Sequence, residues 1–270
     1  FPSPKICISI RTVGMKNKIR KRFGQNFLVD ENIIKKILFS INPQKSDRFV
    51  EIGPGMGALT FPILTYVKTL DVIEIDRDLA KYLSKHDKAS KINIHCMDAL
   101  KFDFNNLYKN GQKLRVVGNL PYNISTPLMF HFLDYSEILG DLHIMLQKEV
   151  ADRVCGQPNT KTFGRLSVAI QARCQIEKLF HIKPNSFYPK PKVTSTMIRL
   201  IPNRKLEDNL AKQLNYVLQL AFSKRRKKIS NSLKALFGLK DFEKLNINPE
   251  KRPENLTVND YMNLSKSIMN

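Results

Sequence analysis

Apolar positions in the first two-thirds of the chain fall into short runs that alternate with amphipathic stretches, and this rhythm stops near Pro202. Ile33, Ile34, Ile37 and Leu38 recur at helical spacing, so a helix is expected from a cap at Asp30 to about Ile41, stopped by Pro43. Strands are predicted at 48–52, 70–75, 92–95, 114–117 and 142–147, with helices at 57–66, 78–86 and 125–135 between them. The stretch 193–201, rich in β-branched residues, predicts a late strand. Short apolar strands alternating with helices imply an α/β fold built on a parallel, doubly wound sheet. Beyond Pro202 only helices are expected: 208–222, then 223–237 closed by Gly238, a turn near Asp241, and a last helix from about Val258. The pattern divides the chain into an extension at 1–14, an α/β domain at 15–201 and a small helical domain at 202–270.

Composition narrows the class. A chain of 270 residues with 42 % hydrophobic residues can bury a substantial core. Every apolar run is broken by a charge, Pro or Gly well before the roughly 20 residues a bilayer demands, so no membrane partner is expected. Lys and Arg outnumber Asp and Glu by 45 to 24, a formal charge of +21 that points to a polyanionic partner. Cys7, Cys96, Cys155 and Cys174 form no Cys-x-x-Cys pair, and the five His residues no His-x-x-x-His pattern. A reduced cytoplasmic protein without a structural metal follows as the expectation, and a monomer is the simplest assembly. Residues 1–14 do not read as a secretory signal, and Met15, which opens a densely basic segment, is a candidate natural start.

Three strand ends carry candidate chemistry. The strand 49–52 runs into Gly53-Pro54-Gly55-Met56-Gly57, where glycines permit a tight turn and close approach of a ligand to the backbone. The Gly-x-Gly-x-Gly spacing differs from the dinucleotide fingerprint Gly-x-Gly-x-x-Gly, which weighs against a nicotinamide cofactor. Glu74 ends the next strand, where a carboxylate can accept hydrogen bonds from ribose hydroxyls. Asp98, beyond the third, is placed to meet an adenine amino group.

After the fourth strand stands Asn119-Leu120-Pro121-Tyr122. An exocyclic base amine is a poor nucleophile because its lone pair is delocalised. The Asn119 side-chain carbonyl and the Leu120 backbone carbonyl can accept its two hydrogens and aim the lone pair, while Pro121 fixes the turn. Tyr122 offers a face for stacking the base and Phe187 is expected to supply the opposite one. A common Asn-x-Pro turn with Tyr122 as a packing residue is the competing reading of the same four residues.

Two basic clusters supply the partner surface. Lys16, Lys18, Arg20, Lys21 and Arg22 precede Gln25-Asn26, and Lys224, Arg225, Arg226, Lys227 and Lys228 are expected to open the second C-terminal helix. Five cations at a helix N-terminus oppose the macrodipole, a conflict that a bound phosphate backbone would relieve. Ile229, Leu233, Leu236 and Phe237 form the opposite, core-facing stripe.

In order along the chain, Gly24-Gln25-Asn26-Phe27-Leu28, Glu51 to Gly57, Glu74-Ile75-Asp76, Asp98-Ala99-Leu100, Asn119 to Tyr122 and Phe187 to Val193 resemble the KsgA-type ribosomal RNA adenine dimethyltransferases. The resemblance covers nearly everything from about Lys21 onward. It implies a Rossmann-like class I methyltransferase domain with a helical C-terminal RNA-binding domain, and S-adenosylmethionine as cofactor. It implies four methyl groups transferred to N6 of two adjacent adenines in the terminal hairpin loop of small-subunit rRNA. By motif match Asn26, Leu28, Gly53, Glu74, Asp98 and Asn119 would line the cofactor pocket. A non-catalytic nucleic-acid binder on the same fold is the alternative, against which the retained Asn119 to Tyr122 speaks.

Overall fold

The computed structural model describes residues 25–203 and 205–269, so the expectations for residues 1–14, Met15 and the cluster Lys16 to Arg22 lie outside the described residues. The central element is a seven-stranded sheet. Its parallel part comprises β2 (Arg48–Ile52), β3 (Leu70–Ile73), β4 (Ile92–His95), β5 (Leu114–Asn119) and β6 (Leu139–Gln147). Beyond β6, β9 (Ser195–Pro202) runs antiparallel both to β6 and to the edge strand β7 (Cys174–Ile182), so β7 runs in the same direction as β6, and the order across the sheet is β4-β3-β2-β5-β6-β9-β7. The late strand expected at 193–201 is thus antiparallel to its neighbours. A two-residue ribbon, β1 (Phe27–Leu28) with β8 (Phe187–Tyr188), stands apart from the sheet.

The intervening helices are α1 (Glu31–Ile41), α2 (Thr60–Ile63), α3 (Arg77–Leu83), α4 (Ser125–Asp134), α5 (Lys148–Val154) and α6 (Arg165–Gln171). Asp30 caps α1, its side chain accepting from the Asn32 and Ile33 amides. The helix expected over 57–66 shrinks to the single turn of α2, because Gly57 has a φ of +84° that no right-handed helix contains.

Strand alternation separates two cores. Val50, Ile52, Val116 and Ile144 pack with Leu128 and Phe132 of α4 on one side. Phe49, Val72, Val117 and Met145 pack with Ile34, Ile37 and Ile41 of α1 on the other. The chain after Pro202 is helical: α7 (Asp208–Ser223), α8 (Ile229–Ser232), α9 (Leu239–Lys244) and α10 (Val258–Ser267). These build a third core around Leu214, Val217, Leu218, Ala221 and Tyr261. Helix α6 joins it to the first core, with Leu166 and Ile170 in one and Val168, Ala169 and Ala172 in the other. Each fully buried Leu or Ile contributes about 1.5–3 kcal/mol, so the packing of α6 is a substantial part of what couples the helical tail to the sheet.

The register sets where function can lie. Ile52 pairs with Ile73 on one side and Gly118 on the other, so the residues after β2, β3 and β5 emerge together at one edge. The chain leaves β2 for β3 and β4 in one direction and returns to β5 on the opposite side. Ligand clefts open at such a reversal, outside the carboxyl ends of the strands.

Candidate functional site

At that reversal lies an open cleft lined among others by Asn26, Leu28, Gly53, Glu74 and all of Asn119 to Tyr122. The glycine turn forms its floor. Gly53 and Gly55 take φ values of +64° and +57°, a region that glycine enters without steric penalty. A Cβ on Gly55 would also stand 2.9 Å from Cδ1 of Phe27, so the turn and β1 press directly together.

Glu74 stitches the turn to the next strand. Its Oε2 accepts the Gly55 amide at 3.2 Å and its Oε1 the Asp76 amide at 2.9 Å. Burial pushes this carboxyl above its usual range, and the amides hold it back. Asp76, 2 % exposed, caps α3 through the Asp78 amide and receives Gln25 Nε2 at 3.1 Å, so the segment before β1 is tied to the same edge.

Glu51 is a wall of the cleft that the motif reading did not single out as a site residue. It is 2 % exposed, and its Oε2 accepts the Thr60 hydroxyl at 2.6 Å. Burial pushes its pKa to about 8 against the pull of that hydroxyl, and the charge of Glu74 pushes the same way. Among the described residues it has no cationic partner. The signal was present in Phe49-Val50-Glu51-Ile52, one acid inside an otherwise apolar strand.

Asn119 ends β5, and its Nδ2 donates to the Asn26 carbonyl at 2.7 Å, which fixes the plane of the amide and the direction of Oδ1. The Leu120 amide donates to the Met145 carbonyl at 3.3 Å, holding the turn against β6. The Tyr122 hydroxyl is 2.8 Å from Oγ of Ser195, a wholly buried residue that begins β9. That contact anchors the far end of the ring, and burial raises the phenol pKa.

Two expected members are not among the cleft residues. Phe187 is 3 % exposed and sits directly opposite Leu28 in the β1–β8 ribbon, both turned into the second core. The expectation that it flanks a base is corrected for this reason, and the exposed aromatic of the ribbon is Tyr188. Asp98 is engaged locally, its Oδ1 accepting the Leu100 amide at 3.0 Å to cap the turn that follows β4.

The C-terminal cluster is also corrected. Lys224 terminates the 16-residue α7, Arg225, Arg226 and Lys227 follow in a turn, and α8 begins only at Ile229. The cations therefore follow the C-terminus of a long helix, where the macrodipole favours them. Arg225 is committed within the protein, with Nε 2.5 Å from Oε2 of Glu254 and Nη2 reaching across to donate to the Lys161 carbonyl of the α/β part at 2.7 Å. Lys228 pairs with Glu250. Lys224, Arg226 and Lys227 are exposed and make no ion pair among the described residues. Among those residues there is also no His/Cys/Asp/Glu group able to hold a metal, and no helix long and apolar enough to cross a membrane.

A parallel sheet with one reversed strand inserted beside its edge strand, a glycine turn after its central strand and an acid ending the next define a class I methyltransferase. The chain belongs to the ribosomal RNA adenine dimethylase family, whose model matches residues 16–270. It is accordingly a methyltransferase enzyme acting on ribosomal RNA adenine. Ribosomal RNA small subunit methyltransferase A of Nitrosococcus oceani is 48 % identical over 260 residues, 95 % of this chain and 98 % of that protein. The protein of the same name from Buchnera aphidicola subsp. Schizaphis graminum is 47 % identical over 263 residues, 94 % of this chain and 96 % of that one. A dimethyladenosine transferase from Plasmodium falciparum superposes with a TM-score of 0.75 at 26 % identity, covering 88 % of this chain and 95 % of that chain. The 23S rRNA methyltransferase ErmE shares the fold, with a TM-score of 0.70 at 21 % identity over 91 % of this chain and 100 % of its own.

Proposed function

We propose that this enzyme transfers methyl groups from S-adenosylmethionine to N6 of two adjacent adenines in the 3′-terminal hairpin loop of small-subunit rRNA, giving N6,N6-dimethyladenines during ribosome biogenesis. The observation that carries the reading is the convergence of Glu51, Glu74 and Asn119 to Tyr122 on one cleft at the switch point of the sheet. S-adenosylmethionine supplies the methyl group. The residues fit such a ligand: a buried acid without a cation suits a positively charged cofactor, and Glu74 beside the Gly53–Gly55 turn suits its ribose. Asn26, Leu28 and Gly53 complete that part of the wall.

Asn119 Oδ1 and the Leu120 carbonyl accept the two hydrogens of the target amine. Two fixed acceptors hold the nitrogen near tetrahedral geometry, so its lone pair points along one direction and forms the new N–C bond. The ring of Tyr122, pinned through Ser195, stacks on the flipped base. The methylated nitrogen is acidic enough to release its proton to water, so no side chain is required as a base. Catalysis here is positioning, and an Asn119 amide already locked by Asn26 supports it over a non-catalytic role. A cytoplasmic monomer with RNA contacts at Lys224, Arg226 and Lys227 completes the reading.

The test is primer extension across small-subunit rRNA from particles lacking the modification, incubated with purified protein and S-adenosylmethionine. Stops at two neighbouring adenines are expected. Uninterrupted extension with active, cofactor-binding protein would overturn the proposal.

A further inference from the structure

The ribbon that covers the cleft ends in a strap with its own chemistry. Phe27 and Tyr188 are direct partners in the antiparallel β1–β8 pair, so their side chains leave the ribbon on the same face about 4.5–5.5 Å apart at Cβ. The Phe27 ring lies against the Gly55 turn in the floor of the cleft. Tyr188 therefore stands beside the mouth of the cleft, and it is 40 % exposed. From there the chain crosses Pro189, Lys190, Pro191, Lys192 and Val193 before re-entering the sheet at Ser195.

Both ends of this strap are held. On the near side the Val29 amide donates to the Ser186 carbonyl at 2.9 Å, and the Ser186 hydroxyl to Oδ2 of Asp30 at 2.9 Å. On the far side the Lys148 amide donates to the Thr194 carbonyl at 2.9 Å, next to the Ser195 that anchors Tyr122. Pro191 is buried beneath it, whereas Lys190, Lys192 and Val193 are exposed. Between Glu177 and Glu207 the sequence contains no carboxylate, so nothing local neutralises the two lysines.

A stiff strap that presents an aromatic face and two cations, with no acid along it, matches the recurring form of a single-stranded nucleic-acid track. We infer that Tyr188, Lys190 and Lys192 form a binding track for the single-stranded RNA next to the target adenine, with Tyr188 stacking on a flanking base and the lysines on its phosphates. This rests on the proposed RNA-adenine chemistry of the cleft and adds a residue-level reason why a loop rather than a duplex is presented to it. A rigid strap loses little conformational freedom on binding, so the stacking energy is retained as affinity.

The experiment compares Tyr188→Ala, Tyr188→Trp and Lys190→Ala/Lys192→Ala with the wild type. It measures affinity for a hairpin RNA with two adjacent loop adenines, its salt dependence, S-adenosylmethionine affinity, and single-turnover methylation of unmodified small-subunit particles. Tyr188→Ala is expected to weaken hairpin binding by about tenfold and Tyr188→Trp to retain it, because stacking tolerates any aromatic face. The lysine pair is expected to lower the salt slope by about one to two units. Cofactor affinity stays at the wild-type value in all three, which excludes misfolding. Wild-type RNA affinity in Tyr188→Ala, with wild-type protein still methylating the particles, would overturn the track and leave the cleft's chemistry standing. A wild type that binds cofactor and methylates no particles would instead strike at the proposed function.

Discussion

The two ends of the parallel sheet treat buried carboxylates in opposite ways. At the carboxyl end Glu51, 2 % exposed, meets only a neutral hydroxyl, and its pKa is pushed up to about 8. At the amino end Asp141, 5 % exposed, is gripped by Arg115 at 2.8 Å and Arg199 at 3.2 Å, and its pKa falls below the usual range despite burial. Arg115 also reaches Asp47 at 2.6 Å and the Ile41 carbonyl at 2.7 Å, closing the network. His143 beneath it is wholly buried and pushed to about 4, so it stays neutral. The amino end finishes its buried carboxylate with the protein's own cations. The other end is left for a ligand to finish, which makes it the candidate site.

The largest effect is expected at the ligand end. Asn119→Ala removes one of two acceptors from the target amine, a preorganised interaction of about 3–4 kcal/mol, so single-turnover methylation should fall roughly a hundredfold or more. RNA affinity should barely change, because phosphate contacts elsewhere dominate it. A near wild-type rate would reduce Asn119 to a turn residue. At the finished end Asp141→Asn should leave methylation per folded molecule intact and lower stability by about 3 kcal/mol, read from denaturant unfolding, because Arg115 loses its main partner. Since the native pKa of Asp141 is depressed, this contribution is present at neutral pH and is lost as pH falls through the native value. Wild type and variant should therefore converge in acid, and a gap that persists there would contradict this role for Asp141.

The same division between committed and uncommitted charge applies on the surface, with a smaller effect. Replacing Lys224, Arg226 and Lys227 together with Ala should reduce the salt slope of RNA binding by about two units. Arg225→Ala should instead lower the melting temperature, because Arg225 is paired with Glu254 and bonded to the loop at Lys161. A slope unaltered by the triple variant would make those cations only a solvated face.

Much of this was legible in the chain, and what was not has physical causes. Strands β2, β3, β5 and β6 show because parallel strands buried on both faces read as predominantly apolar runs. Strand β7 escaped because it is an edge strand, with a register irregularity between Lys178 and Phe180 and exposed residues along its length. The antiparallel direction of β9 depends on that hidden partner. The cleft was legible where chemistry is local to strand ends, at Gly53, Glu74 and Asn119. Phe187 misled because a two-residue ribbon has no visible period, and only the pairing with Leu28 reveals which of Phe187 and Tyr188 faces inward. The role of Ser195 required a partner 73 positions away.

At the carboxyl end of the sheet, then, a neutral acid awaits a cation. In the ligand-free protein the raised pKa of Glu51 means that folding stability declines as pH rises from the ordinary value of 4.5 to about 8, and levels off above it once the buried acid is ionised. A bound cation would oppose this by favouring the carboxylate. Titration of S-adenosylmethionine at pH 6.5 in buffers of different ionisation enthalpy measures the proton count directly. Release of about one proton is expected from the wild type and almost none from Glu51→Gln. Binding without proton release in the wild type, or release unchanged in the variant, would contradict the role of Glu51 as the acid that a charged cofactor completes.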